Sequence, residues 1–271
     1  MGKERVDILA VRSGLFETRE KAKRAIMAGL LVDAKNGERF DKPGIKVEET
    51  TEFRVKGSVL PYVSRGGLKL EKAIQIFDLD FSGKTVLDIG ASTGGFTDVS
   101  LQNGAKLVYA LDVGTNQLAW KLRNDPRVKV MEQTNFRYSK PEDFSDGLPN
   151  MSTIDVSFIS LSLILPPLFD ILLEGGMTMA LVKPQFEAGK ENVGKKGIVK
   201  DKSVHTAVIK KTVEYAKEIG FSTMGLSHSP ITGGEGNIEF LLFLQKLEDQ
   251  KYHVTESVIE DVVKHAHEQL G

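Results

Sequence analysis

The 271-residue chain predicts an α/β protein whose main part is a doubly wound, mostly parallel, Rossmann-like sheet, preceded by a small α+β domain. Three observations predict it. From Thr85 onward, short apolar runs alternate with helical stretches, the pattern of a sheet covered on both faces. Within that region, VLDIGASTGGFTD (residues 86–98) passes from a β-branched run through Gly90, Gly94 and Gly95 into a helix start. The first 60 residues are patterned differently, as two short helices followed by short β-rich runs between Asn-Gly and Pro-Gly turns.

In chain order, Val6, Leu9 and Ala10 lie at helical spacing in residues 4–12, and Thr18 caps a second helix over 19–28. The stretch from Leu30 to Gly57 predicts a small antiparallel sheet. GSVLPYVSRG (57–66) mixes Gly, Pro and Ser as a linker does, so the expected division is a domain over 1–60, a linker at 61–66 and a second domain over 67–271. A helix follows over 67–77. Strands are expected at 85–89, 107–112, 128–132, 152–157, 177–183, 222–227 and 238–245, with helices at 96–102, 117–123, 161–173, 203–219 and 255–269.

The glycine-rich turn is the candidate ligand site, because unusual backbone angles and close approach of a ligand both favour glycine. Its spacing departs from the dinucleotide fingerprint, with Ala91, Ser92 and Thr93 standing between Gly90 and the paired glycines. Asp112 ends the next apolar run at the distance of a carboxylate that holds a ribose diol, with Val113 beside it. Asp88 puts an acid before the glycines, where a cationic amino-acid group could sit, which favours S-adenosylmethionine over a dinucleotide. Phe96 completes the candidate cofactor set, although its own pattern reads as core. A plain strand-to-helix turn, with Asp112 a surface acid, is the alternative.

Net charge is −1 overall but +3 over residues 1–60, leaving −4 for the rest. Arg19, Lys21, Lys23 and Arg24 crowd one short helix, and Lys42 and Lys46 follow near a turn. Together with Arg5 and Arg65 they are candidate phosphate contacts, whose affinity would fall with salt; a merely solvated face is the other reading. There are no cysteines, hence no disulfides or thiolate metal sites. His265 and His267 are two apart on a helix and share no face, so no metal is expected. Neither a signal peptide nor a membrane-spanning run is evident, and the expected location is cytoplasmic. Trp120, in QLAWKLR, could stack on a base but reads as packing with Leu118 and Leu122.

Four charged residues far apart in sequence are expected at one sheet edge: Lys69 at the start of its helix, Asp155 and Lys183 at strand ends, and Glu239 opening a strand that would run antiparallel. SRGGLKL, DIGASTGGFTD, IDVSFISL, LVKPQFE, GIVKD and SPITGGEGNIE resemble the TlyA family from end to end, and RSGLFETREKAKRAIMAGLLVD with KPGIKV resembles the S4 RNA-binding fold.

The TlyA resemblance implies an S4 domain joined to an FtsJ-like, S-adenosylmethionine-dependent methyltransferase domain. It also implies methylation of the ribose 2′-hydroxyl of cytidine in small- (16S) and large-subunit (23S) ribosomal RNA, with Lys69, Asp155, Lys183 and Glu239 as the catalytic tetrad. Ribosomal RNA or ribosomal subunits would then be the partners. Lys200 in GIVKD stands where arginine is commoner in the family. Lys183 could act as a base only if it gives up its proton, which burial and Lys69 favour and the two acids oppose; otherwise it orients the hydroxyl. The family also carries a hemolysin label, and a membrane-lytic protein, a non-catalytic ribosome assembly factor and a small-molecule methyltransferase are the alternatives.

Overall fold

A computed structural model describes residues 2–56, 60–194 and 196–271. The chain forms two compact units, Met1–Pro61 and Tyr62–Gly271.

In the first unit, β1 (Lys3–Arg5) leads into α1 (Val6–Arg12), and α2 (Arg19–Met27) follows; the Thr18 hydroxyl accepts the Lys21 N–H at 3.2 Å, as the capping pattern predicts. Then come β2 (Leu31–Asp33), β3 (Lys46–Glu48) and β4 (Phe53–Val55). The expected small sheet is two separate antiparallel ladders, β1 with β3 and β2 with β4. Residues 4 and 5, read as helix, are strand. Val6, Ala10, Phe16, Ala22, Ala25, Ile26, Leu31 and Phe40 close the core. Asp7 is fully buried beneath it, clasped by Arg5 at 2.9 Å and Arg19 at 2.8 Å. That double pairing outweighs the cost of burying the carboxylate and holds it below the usual range.

The boundary between the two units falls within the segment expected as a linker, and residues at its end are held against the second unit. Tyr62 and Val63 pack against a core cluster, the Tyr62 hydroxyl donates to Glu71 at 2.7 Å, and the Val63 N–H donates to Asp98 at 2.9 Å. Residues 57–59 of the Pro/Gly/Ser-rich stretch lie outside the described residues.

The unit continues as α3 (Gly67–Phe77), β5 (Thr85–Ile89), α4 (Gly95–Gln102), β6 (Leu107–Leu111), α5 (Trp120–Arg123), β7 (Val128–Met131) and β8 (Met151–Ile154). After these come α6 (Leu165–Ile171), β9 (Met177–Val182), α7 (Pro184–Glu187), α8 (Lys202–Ile219), β10 (Phe221–His228), β11 (Phe240–Lys246) and α9 (Glu256–Leu270). Seven strands form one sheet in the order β10-β11-β9-β8-β5-β6-β7, parallel except for β11, which runs antiparallel to both neighbours. Alternate strand residues feed two cores, one with Leu70, Phe96 and Val99 from α3 and α4, the other with Leu168, Ile209 and Val263 from α6, α8 and α9. Chain order reverses between β5 and β8, and a crevice at the carboxyl ends of the strands is expected there.

Two predicted helices are shorter than read. The 161–173 stretch is a 3-10 turn at Leu161–Leu163 and then α6, because Pro166 and Pro167 suit only a helix start. Residues 117–119 stay in a loop because Glu132 accepts the N–H groups of Asn116, Gln117 and Leu118. Burial would raise the Glu132 pKa, but these donors and Arg123 hold it at about 2.

His205 on α8 is fully buried, its Nδ1 2.9 Å from His267 Nε2 on α9 and its Nε2 3.1 Å from the Val199 carbonyl. Burial and the second imidazole lower its pKa from 6.5 to about 4. The unfolded chain therefore binds this proton first, and the stability contributed above pH 6.5 is lost as pH falls towards 4. Melting temperature should drop across that window, and more gently in His205→Gln. Equal pH slopes for the two proteins would contradict this.

Among the described residues no helix is long and apolar enough to cross a membrane, and no His/Asp/Glu group could hold a metal ion.

Candidate active site

Four elements deliver the charged residues to one edge. β8 ends at Ile154 and presents Asp155, and β9 ends at Val182 and presents Lys183. Phe240 pairs with Val182 in the antiparallel β11–β9 ladder, which sets Glu239 beside Lys183. Lys69 comes from the first turn of α3. Lys69 Nζ is 2.6 Å from Glu239 Oε2 and 3.8 Å from Asp155 Oδ2, and Lys183 Nζ is 2.6 Å from Asp155 Oδ1. The result is an alternating row, Glu239, Lys69, Asp155, Lys183. Three of the four are nearly buried, at 2% for Glu239, 7% for Lys69 and 8% for Lys183, and the charges balance, so no buried charge is left uncompensated.

Two further residues attach to the row. Lys183 Nζ donates to Ser157 Oγ at 3.1 Å, and Gln185 Nε2 donates to Glu239 Oε1 at 3.3 Å. Neither was singled out from sequence; both sit two residues beyond a tetrad member, inside the IDVSFISL and LVKPQFE motifs.

A cleft of about 250 Å³ adjoins the row, lined by Ser64, Gly66, Gly90, Ala91, Ser92, Thr93, Gly95, Phe96, Asp155 and Ser157. Gly90 has φ +83°, and a Cβ there would stand 2.5 Å from the Asp155 carbonyl oxygen, so this turn passes directly under the strand end that carries the tetrad acid. Ser64 and Gly66 were missed by sequence reasoning, although they flank Arg65 in the SRGGLKL motif.

The remaining cofactor candidates are placed differently from one another. Asp88 does not reach the cleft. It is fully buried, accepting from Thr97 Oγ1 at 2.7 Å and Thr153 Oγ1 at 2.9 Å, and burial raises its pKa to about 7 despite those donors. Its place is to tie β5 to α4 and β8. Of the two acids, Asp88 and Asp155, it is Asp155 that borders the cleft. Gly94, with φ +98°, caps α4 and faces Leu118 and Leu122 rather than the cleft. Asp112 accepts the N–H groups of Ser92 at 2.8 Å and Gly114 at 2.7 Å, which leaves one lone pair on each oxygen for a diol. Val113 is 71% exposed.

Trp120 overturns its expectation: it is 76% exposed, whereas Leu118 and Leu122 are buried. Trp120 and Leu122, two apart on α5, point to nearly opposite sides, and Leu118 lies in the loop before the helix.

Of the eight cations read as phosphate contacts, Arg5 and Arg19 clasp Asp7, Lys21 pairs with Glu17, and Lys23 pairs with Glu20 at 2.7 Å. Arg24, Lys42, Lys46 and Arg65 are exposed and form no ion pair among the described residues.

The FtsJ-like methyltransferase family model matches residues 62–246, the part of the chain that carries the cleft and the tetrad. In addition, the chain is 41% identical to the "16S/23S rRNA (cytidine-2'-O)-methyltransferase TlyA" of Mycobacterium tuberculosis, over 97% of this chain and 96% of that protein. The chain is a TlyA-family, FtsJ-like methyltransferase. Another relative of this methyltransferase is the "Putative rRNA methyltransferase YqxC" of Bacillus subtilis, 58% identical over 99% of this chain and 95% of that protein. A solved structure entitled "Putative hemolysin from Streptococcus thermophilus" superposes with a TM-score of 0.78 at 59% identity, covering 99% of this chain and 97% of that one.

Proposed function

We propose that this methyltransferase uses S-adenosylmethionine to methylate the ribose 2′-hydroxyl of cytidine in ribosomal RNA of both subunits, acting in the cytoplasm. The observation that carries the reading is the alternating row of Lys69, Asp155, Lys183 and Glu239 bordering a glycine-lined cleft at the topological switch point. Relatives named as 16S/23S rRNA (cytidine-2'-O)-methyltransferases support the substrate.

The donor set fits the cofactor. The N–H groups of Gly95 and Phe96, at the start of α4 and on the cleft, suit its carboxylate, the spare lone pairs of Asp112 suit its ribose diol, and Asp155 supplies the acid facing a cation. S-adenosylmethionine bound there supplies an electrophilic methyl group to the ribose oxygen. Lys183, which must first give up its own ammonium proton to solvent, takes the 2′-hydroxyl proton, and Asp155, 2.6 Å away, stabilises the ammonium that is regenerated. Ser157 fixes a second direction of the same Nζ. Lys69 and Glu239 hold each other at 2.6 Å and set where the ribose lies; much of the rate comes from that alignment.

Residues 1–60 act as an S4-like grip on structured RNA, joined through the 61–66 segment to a catalytic domain over 67–271. Arg24, Lys42 and Lys46, exposed and unpaired among the described residues, are the first phosphate contacts to test. Reversing all three to Glu should weaken ribosomal RNA binding by at least about tenfold at 0.1 M salt and flatten its salt dependence, with cofactor affinity unchanged. Unaltered binding would remove the N-terminal unit from RNA recognition. Labelled-methyl transfer to purified, unmodified ribosomal subunits tests the reaction itself; transfer to neither subunit nor free RNA would overturn it.

A further inference from the structure

A groove leads away from the tetrad along the segment that follows β9. It starts at Gln185, the residue that holds Glu239, and continues as three adjoining cavities of about 350, 380 and 250 Å³. Phe186 belongs to the first two, and Glu187 and Lys211 to the last two. The Phe186 ring stands next to the catalytic centre, its centroid 5.9 Å from Lys183 Nζ.

The lining chemistry is mixed in a particular way. The middle cavity has two aromatic rings, Phe186 and the partly exposed Tyr215, with the hydroxyls of Ser160 and Ser162 and the ammonium of Lys211. Lys211 is exposed on α8 and forms no ion pair among the described residues. The one acid lining these cavities, Glu187, accepts from Ser160 Oγ at 2.6 Å and the Leu161 N–H at 2.8 Å and attracts Lys211 without forming a short ion pair with it, so Lys211 Nζ is left to reach a phosphate. At the near end, Gln185 Oε1 is a buried acceptor with no hydrogen-bond partner among the described residues.

Ring faces that stack any base, beside an exposed ammonium that forms no short ion pair, are what single-stranded nucleic acid uses. An acidic or purely apolar ligand would use only part of that set. We propose that this groove is a subsite for the single-stranded RNA adjoining the methylated nucleotide, with a base stacked on Phe186 or Tyr215 and its phosphate at Lys211. The proposal rests on the reading that the tetrad methylates an RNA ribose, and it adds that the substrate is held splayed out on the side of the target that faces α8.

The test uses the full chain and a ribosomal RNA fragment that wild type methylates, with Lys211→Glu and Tyr215→Ala as variants; neither residue belongs to the tetrad or the cofactor cleft. Lys211→Glu should raise the KM for RNA about tenfold, and Tyr215→Ala at least about threefold, with kcat within about twofold and cofactor affinity unchanged. The log–log salt slope of RNA binding should shrink by about 0.7 in the lysine variant. A 4-thiouridine placed one nucleotide from the target should crosslink to the peptide carrying Lys211 and Tyr215, which a structural role alone would not produce. With wild type active, unchanged KM values in both variants, or crosslinks confined to other peptides, would overturn the subsite. If wild type itself methylates no RNA, the reaction reading fails first and the subsite with it.

Discussion

Lys183→Ala should lower kcat for methyl transfer by about 10³-fold while leaving cofactor affinity within a few-fold of wild type. The effect is large because this ammonium position has one place in the molecule: Asp155 Oδ1 at 2.6 Å and Ser157 Oγ at 3.1 Å fix it, and it is 8% exposed. The variant should fold, since the groups left behind border the cleft and can be reached by water. If Lys183 is the base, the wild-type rate climbs with pH and the residual rate of the variant does not follow it. A variant retaining more than about a tenth of wild-type kcat would move the proton acceptor elsewhere.

Gly90→Ala should abolish measurable cofactor binding and lower the melting temperature. Backbone conformation at φ +83° costs an ordinary residue about 1–3 kcal/mol, and the added carbon would lie 2.5 Å from a backbone oxygen that has little freedom to retreat. The oxygen belongs to Asp155, so relief of the clash would displace the tetrad acid as well. Cofactor titration followed calorimetrically separates this from a catalytic defect: Lys183→Ala binds and does not transfer, whereas Gly90→Ala does not bind. Wild-type affinity in Gly90→Ala would contradict the close approach of turn and strand.

The course of the main sheet was legible because its strands are buried on both faces and read as unbroken apolar runs; β5, β6 and β9 fall within a residue of expectation. The convergence of Lys69, Asp155, Lys183 and Glu239 was also legible, since strand ends in such a sheet share one edge, and the antiparallel β11 returns Glu239 to it.

What was not legible depends on contacts between distant parts of the chain. Asp88 looked like a ligand acid, but hydroxyls from α4 and β8 enclose it. Trp120 looked like packing because Leu118 and Leu122 flank it, but Glu132 holds Leu118 in the loop before α5 and Leu122 lies on the opposite side of the helix from the exposed indole. The roles of Ser64, Ser157 and Gln185 arise only once the turn, β8 and β11 are side by side; a serine or glutamine in a loop has no signal of its own. That Val63, inside the expected linker, is held by Asp98, 35 residues on, was likewise not legible.

The central claim, that the tetrad methylates a ribose oxygen of ribosomal RNA, is tested most directly by mapping the product. Unmodified small and large subunits are treated with wild type or Lys183→Ala and S-adenosylmethionine, and the extracted RNA is subjected to alkaline cleavage. Wild type should leave cytidine positions whose 3′ linkage resists alkali, because a methylated 2′-oxygen cannot attack the neighbouring phosphate, and the variant should leave none. Methyl incorporated without any alkali-resistant linkage would place the transfer on a base and contradict the account.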